Sequence, residues 1–153
     1  APMSETVESF GKFAGKVHVL PIRIYYEDTD LSGIVYHANY LRFMERGRTE
    51  FFRAAGVHKL AELDGPEPFA WTLRKAALEY MRPARLNDLV EVRTSAVSLT
   101  GVRMIASQDI YCEGRQLTHG TVEACIISLT GKPKRIPQDT RDKLSPFLLE
   151  TVA

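Results

Sequence analysis

The sequence predicts an α+β domain in which one long helix packs on an antiparallel sheet of about five strands. Two observations carry this. One stretch, Asn39 to Ala55, has apolar residues at helical spacing, and four strand-like stretches follow, the third and fourth through short connections that favour antiparallel hairpins over parallel crossovers.

Residues 1–16 are polar and glycine-containing and read as a flexible arm, leaving residues 17–153 as a single domain. Val17 to Tyr26 has strand character. From Tyr25 to Tyr40 the chain places acids, a turn glycine and a histidine between that strand and the helix start. Within the helix, Tyr40, Met44, Gly47, Phe51 and Ala54 recur at steps of four and three and form one buried stripe, with Arg42, Arg46, Thr49 and Arg53 opposite. Asn39 is the expected N-cap and Gly56 the expected C′ residue, while Gly47 in the stripe marks a close approach to another backbone. Glu45 and Arg48, three apart, are expected to form an ion pair on the helix surface.

After a loop at Glu62 to Pro68, the segments Phe69–Tyr80, Leu89–Leu99, Val102–Tyr111 and Gln116–Leu129 read as long strands. Turn signals separate them: Pro83 with Asn87-Asp88, then Thr100-Gly101, then Glu113-Gly114, with Gly131 after the last. The tail Pro137–Glu150 is expected to be irregular with a short terminal helix.

A chain of 153 residues suits one domain with a sizeable core, and 44% hydrophobic with 25% charged residues is ordinary for a globular protein. The formal net charge of +1 leaves no electrostatic footprint for nucleic acid. No apolar run approaches the roughly 20 residues of a membrane helix, and no leader-like segment opens the chain, so a cytoplasmic location is expected. Cys112 and Cys125 fall roughly 30 Å apart at strand rise and are expected to be free thiols. His18, His37, His58 and His119 have no metal-ligand spacing, so no metal site is expected.

Chemistry concentrates in the strand-to-helix segment. A helix start aims unbonded N–H groups and positive dipole at whatever lies beside it, the electrostatics a developing oxyanion requires. Asp28 and Asp30 suit Asx-turns, and equally an acid that activates water; His37, just before the helix, is a polarising group or a solvated loop residue. Gly33 permits a tight turn between them.

Tyr26, Asp28-Thr29-Asp30, Gly33-Ile34-Val35-Tyr36-His37, Asn39-Tyr40, Glu45 and Arg48 together closely resemble the signature of the hot-dog-fold acyl-CoA thioesterases, in the 4-hydroxybenzoyl-CoA thioesterase-like branch with its YbgC-type members. The resemblance covers about residues 17–147. It implies a hot-dog fold, a central helix wrapped by the sheet, and hydrolysis of an acyl thioester to free acid and thiol without metal or redox cofactor. Asp30 takes the family's acidic position, as general base or nucleophile; His37 supplies its imidazole or its backbone N–H; Tyr26 sits near the acid and orients water or substrate. The resemblance further implies a dimer that usually builds a tetramer, with active sites between subunits, and acyl carrier protein as a second carrier or partner. Asp28 and Asn39 are expected to be structural. Coenzyme A enters as part of the substrate, and Arg103, Lys132, Lys134 and Arg135 are candidates for its phosphates. Tyr36, Phe51, Phe52 and Trp71 are candidates for an acyl pocket. The rival readings are a hot-dog dehydratase and a non-catalytic acyl-thioester binder.

Overall fold

The computed structural model describes residues 10–150. In chain order they form β1 (Lys12–Ala14), β2 (Val17–Arg23), a 3-10 turn (Tyr26–Asp28), α1 (Asn39–Ala54), β3 (Ala61–Glu62), β4 (Phe69–Tyr80), β5 (Leu89–Leu99), β6 (Arg103–Cys112), β7 (Arg115–Ser128), β8 (Pro133–Lys134), α2 (Gln138–Leu144) and a second 3-10 turn (Ser145–Phe147). The strands make one antiparallel sheet in the order β1-β2-β5-β6-β7-β4-β3, with β8 on β7.

Period-two alternation builds the sheet. Val90, Val92, Thr94 and Ala96 of β5, Met104, Ala106, Gln108 and Ile110 of β6, and Thr118, Val122, Ala124 and Ile126 of β7 are buried on one face, and α1 packs there. The opposite face carries the intervening residues, among them Arg93, Asp109 and His119.

The four long strands after the helix lie where the sequence puts them, to within a residue at most ends. The expectation of about five strands in all is exceeded: β1, β3 and β8 are two- or three-residue additions too short to show periodicity. Lys12–Ala14, part of the expected flexible arm, pairs with Val17–Val19 as a hairpin; residues 1–9 of that arm lie outside the described residues. The first long strand ends at Arg23 rather than Tyr26, because Ile24 leaves the ladder to exchange backbone hydrogen bonds with Asn87 and Asp88. Cys112 and Cys125 are free thiols.

On α1, Tyr40, Met44, Gly47 and Phe51 are buried as expected, whereas Ala54 is exposed and Phe43 and Phe52 complete the stripe. Gly56 follows the helix in the left-handed region at φ 96. Gly47 is the point of closest approach: a Cβ there would lie 2.6 Å from Val92 Cγ1 and 3.0 Å from Thr94 Oγ1. Beside it the buried Gln108 amide donates to the Met44 carbonyl at 2.7 Å and to Thr94 Oγ1 at 2.9 Å, and accepts from Arg48 Nη1 at 2.9 Å. The expected Glu45–Arg48 ion pair is therefore not formed. Arg48 turns inward to Gln108, and Glu45 instead accepts from Thr49 Oγ1 at 3.2 Å.

Gly47→Ala should lower stability by about 1–3 kcal/mol, because overpacking against the stiff Val92 outweighs the gain in helix propensity. Thermal melting should register roughly 2–4 °C for each kcal/mol; an unchanged or raised midpoint would show that the helix can move away freely.

His18 is completely buried against Phe13 and Phe51, where desolvation lowers its pKa against smaller opposing effects of Glu50 and the Phe10 backbone. The unfolded chain then takes up a proton that the native state resists, so stability is full above about pH 6.5 and declines as pH falls through that value. Urea unfolding at pH 7.5 and 5.5 should show a smaller loss in His18→Leu than in the wild type. Equal losses would assign the acid sensitivity to other groups.

Candidate active site

The segment between β2 and α1 is shaped by its own short polar residues. Asp28 Oδ2 accepts from the Tyr25 N–H at 2.8 Å and closes the 3-10 turn, while the Tyr26 carbonyl accepts from Thr29 Oγ1 at 2.7 Å. Beyond it the chain folds into a tight hairpin: Thr29 bridges Val35, the Asp30 N–H donates to the Ile34 carbonyl, and the Gly33 N–H donates to the Asp30 carbonyl. Gly33 takes φ 79, the left-handed conformation that this turn requires.

Two attachments fix the hairpin. On the sheet side, the Val35 N–H donates to the Ala84 carbonyl and Ile34 bridges Arg85, both in the β4–β5 connection. On the helix side, the Asp28 carbonyl accepts from the Tyr36 N–H at 3.0 Å and from Asn39 Nδ2 at 2.8 Å. Asn39 is thus a clamp between helix and loop, and not the expected N-cap. That position falls to Ala38, already in the right-handed helical region and without a side-chain cap. Asp28 is the structural turn residue the sequence indicated.

Asp30 lies at the exposed start of the hairpin tip. Its Oδ1 accepts from the Ser32 hydroxyl at 2.6 Å and the Ser32 N–H at 2.8 Å, and these donors hold its pKa below the usual carboxylate value. Both fall on Oδ1; Oδ2 has no donor among the described residues. His37 is exposed, its ring 4.5 Å from that of Tyr36. No carbonyl among the described residues accepts from the N–H of His37 or Ala38, so the uncapped helix start presents unbonded donors. Tyr26 is 80% exposed.

Sequence reasoning missed Tyr80. Its hydroxyl donates to the His37 carbonyl at 2.8 Å, its ring packs edge-on to those of Tyr40 and His37, and partial desolvation raises its pKa. No local signal marks this residue, which reaches the site only because β4 ends beside the helix start. Ser32 was within reach of sequence reasoning, since a serine two residues after an aspartate is a standard Asx-turn donor.

The basic residues do not gather here. Arg103 Nη1 lies 3.5 Å from Glu123, which also holds Arg74 at 2.6 Å; Lys134 Nζ lies 3.9 Å from Glu67; and the Arg135 guanidinium lies over Gly101. All belong to the end of the sheet where Phe69 pairs with Ser128, whereas His37 lies at the Tyr80 end. The 12-residue β4 separates those ends by roughly 35 Å at strand rise. Among the apolar candidates, Phe52 and Trp71 line one cavity of about 310 Å³ between α1 and β4, together with Glu45, Arg48, Leu60 and Leu73. Phe51 is instead spent on an aromatic core with Phe13 and Phe147, and Tyr36 stays at the surface.

Residues 25–144 match the family described as the thioesterase-like superfamily. Acyl-CoA thioester hydrolase YbgC of Escherichia coli O6:H1 is 39% identical over 120 residues, covering 77% of this chain and 88% of its own. Acyl-CoA thioesterase YbgC of Haemophilus influenzae is 34% identical over 122 residues, covering 79% and 89%. Among solved structures, a probable thioesterase from Bartonella henselae superposes with a TM-score of 0.73 at 36% identity, over 79% of this chain and 99% of that one. The antiparallel sheet curled about one central helix is the hot-dog arrangement, and with the family pattern spanning the loop, helix and sheet described above, the chain belongs to the thioesterase-like superfamily.

Proposed function

We infer that this protein is an acyl-CoA thioesterase, hydrolysing an acyl-CoA to free acid and coenzyme A. The observation that carries the mechanism is the pairing of an ionised, accessible carboxylate on a clamped hairpin with unbonded N–H groups at the start of α1. With the thioester carbonyl oxygen directed at the His37 and Ala38 N–H groups, the charge that develops as the carbonyl becomes tetrahedral meets fixed dipoles. Asp30 then acts in one of two ways. As general base it takes a proton from water while the hydroxide adds to carbon, the C–S bond breaks, and the departing thiolate takes up the proton. As nucleophile it forms a mixed anhydride with release of thiolate, and water then cleaves the anhydride. The His37 imidazole assists the leaving group, and the exposed Tyr26 faces incoming substrate. Asp30, water and backbone dipoles supply the chemistry in both routes.

The proposed assembly is a dimer, and an open sheet edge supports it. β3 covers only Phe69 and Ala70 of β4, leaving most of that strand's outer hydrogen-bonding edge unpaired. A two-fold antiparallel pairing of β4 with a second copy reverses the strand, bringing one copy's Arg103, Lys132, Lys134 and Arg135, and its Trp71 cavity, toward the other copy's Asp30 and His37. Coenzyme A phosphates and acyl group are then held by the copy that does not supply the acid, and further pairing of dimers gives a tetramer. Acyl carrier protein is the proposed alternative carrier. No described helix is long and apolar enough to cross a membrane, and the cytoplasm is the proposed place of action.

Turnover should be measured over short, long and aromatic acyl-CoAs. Asp30→Asn should lower kcat by at least about a hundredfold with the fold intact, and Asp28→Asn should lose stability before turnover; a normal rate in the Asp30 variant would remove the acid from the scheme. Ser32→Ala removes a donor that favours the carboxylate, so the acid limb of kcat/KM should move up in pH toward the ordinary aspartate range.

Mixing Asp30→Asn chains with chains carrying Ala at Arg103, Lys132, Lys134 and Arg135 tests the shared site. Random reassociation should restore about a quarter of wild-type sites, since half the dimers are mixed and each mixed dimer has one complete site. No recovery after subunit exchange is confirmed would place both functions within one chain.

A further inference from the structure

We propose that Tyr80 is a positioning residue for the oxyanion-binding N–H groups, acting through the backbone carbonyl of His37. The inference rests on the thioesterase reading and extends it to a residue 43 positions away in the chain.

The first carbonyls of a helix normally accept from N–H groups one turn later. Here the Asn39 N–H donates to the Tyr36 carbonyl and the Leu41 N–H to the Ala38 carbonyl, and no helical N–H returns to the His37 carbonyl between them. Among the described residues its donor is the Tyr80 hydroxyl, at 2.8 Å. A peptide unit is planar, with its C=O and the following N–H pointing in opposite directions, so holding the His37 oxygen fixes the direction of the Ala38 N–H. Without Tyr80 the His37–Ala38 unit is free to rotate in a segment that has no side-chain cap.

Tyr80 is itself fixed from two sides. Its backbone lies in β4, paired with Thr118 of β7, and its ring packs edge-on to Tyr40 at 5.4 Å between centroids. Tyr40 in turn accepts from the Ala84 N–H, in the same connection that receives the hairpin. The sheet thereby holds the oxyanion donors by a path independent of the Asp28–Asn39 clamp. Because a misplaced donor weakens the transition state more than the bound substrate, the loss of this hydrogen bond belongs in kcat rather than KM.

The test is Tyr80→Phe, which keeps both ring contacts and removes only the hydroxyl. With an acyl-CoA that the wild type hydrolyses, kcat should fall about tenfold, less than the hundredfold or more of deleting an oxyanion donor outright, with KM and melting temperature near wild type. The same substitution in a His37→Ala background should give the same further loss, because the carbonyl remains when the imidazole is gone. An unchanged kcat in Tyr80→Phe, or a loss that vanishes in the His37→Ala background, overturns the inference alone. A wild type that hydrolyses no acyl thioester overturns the thioesterase reading and this inference together.

Discussion

The contact between the backbone of α1 and the sheet at Gly47 governs the rest of the fold. A glycine facing Val92 and Thr94 lets the helix axis approach more closely than any side chain permits, and Gly120 gives Met44 the same clearance, since a Cβ there would lie 2.6 Å from its Cε. Close approach places polar backbone against a buried sheet, which costs free energy unless every group is bonded. Gln108 answers this by spending both amide hydrogens and its carbonyl oxygen on Met44, Thr94 and Arg48. The helix is thus fixed in rotation and depth midway along its length, and its N-terminus is aimed from there.

What α1 aims is a set of backbone donors with no side chain of their own to position. Their direction depends on neighbours: the Asp28 carbonyl shared by Tyr36 and Asn39 on one side, and the β4–β5 connection holding Val35 on the other. Such a site resists substitution in its donors, since every residue has an N–H except proline, and is sensitive at the clamps. The carboxylate follows the opposite logic. Asp30 stands on a hairpin tip with one oxygen committed to Ser32, so in the proposed mechanism its charge is set before substrate arrives and desolvation is left to whatever covers it. Leu31, fully exposed at the same tip, and Tyr26 beside it are apolar groups suited to that contact.

The sheet presents a second asymmetry. Its interior strands are paired on both sides, while β4 has a long free edge and little cover on either face. Native sheets seldom leave most of so long a strand in this state, since an open edge is a template for another strand. The separation of the basic residues from Asp30 has the same physical root. Both sets sit on or beside β4, at opposite ends, and the proposed two-fold pairing, which reverses the strand, would bring them together.

Much of this was legible in the chain. The helix, its Gly47 approach and Gly56 stop, and four long strands follow from side-chain period and turn chemistry, which are local and need no knowledge of neighbours. The loop offered Asp30 and His37 as candidates through its resemblance to a family signature, since a bare Asp-x-Asp or a lone loop histidine carries no such signal. Arg48 was assigned to Glu45 because helical spacing makes them neighbours, yet burial against Gln108, sixty residues later, offers a better acceptor. Ala54 fits the stripe by number but lies exposed as the last residue of the helix, and the strand after Val17 stops early because Asn87 and Asp88 capture Ile24. Tyr80 and the free edge of β4 have no local sign at all. Sequence determined what each segment could form and which side chains are candidates to carry chemistry. Tertiary structure decided which distant groups satisfy one another, because a buried or strained polar group takes its partner from space and not from the chain.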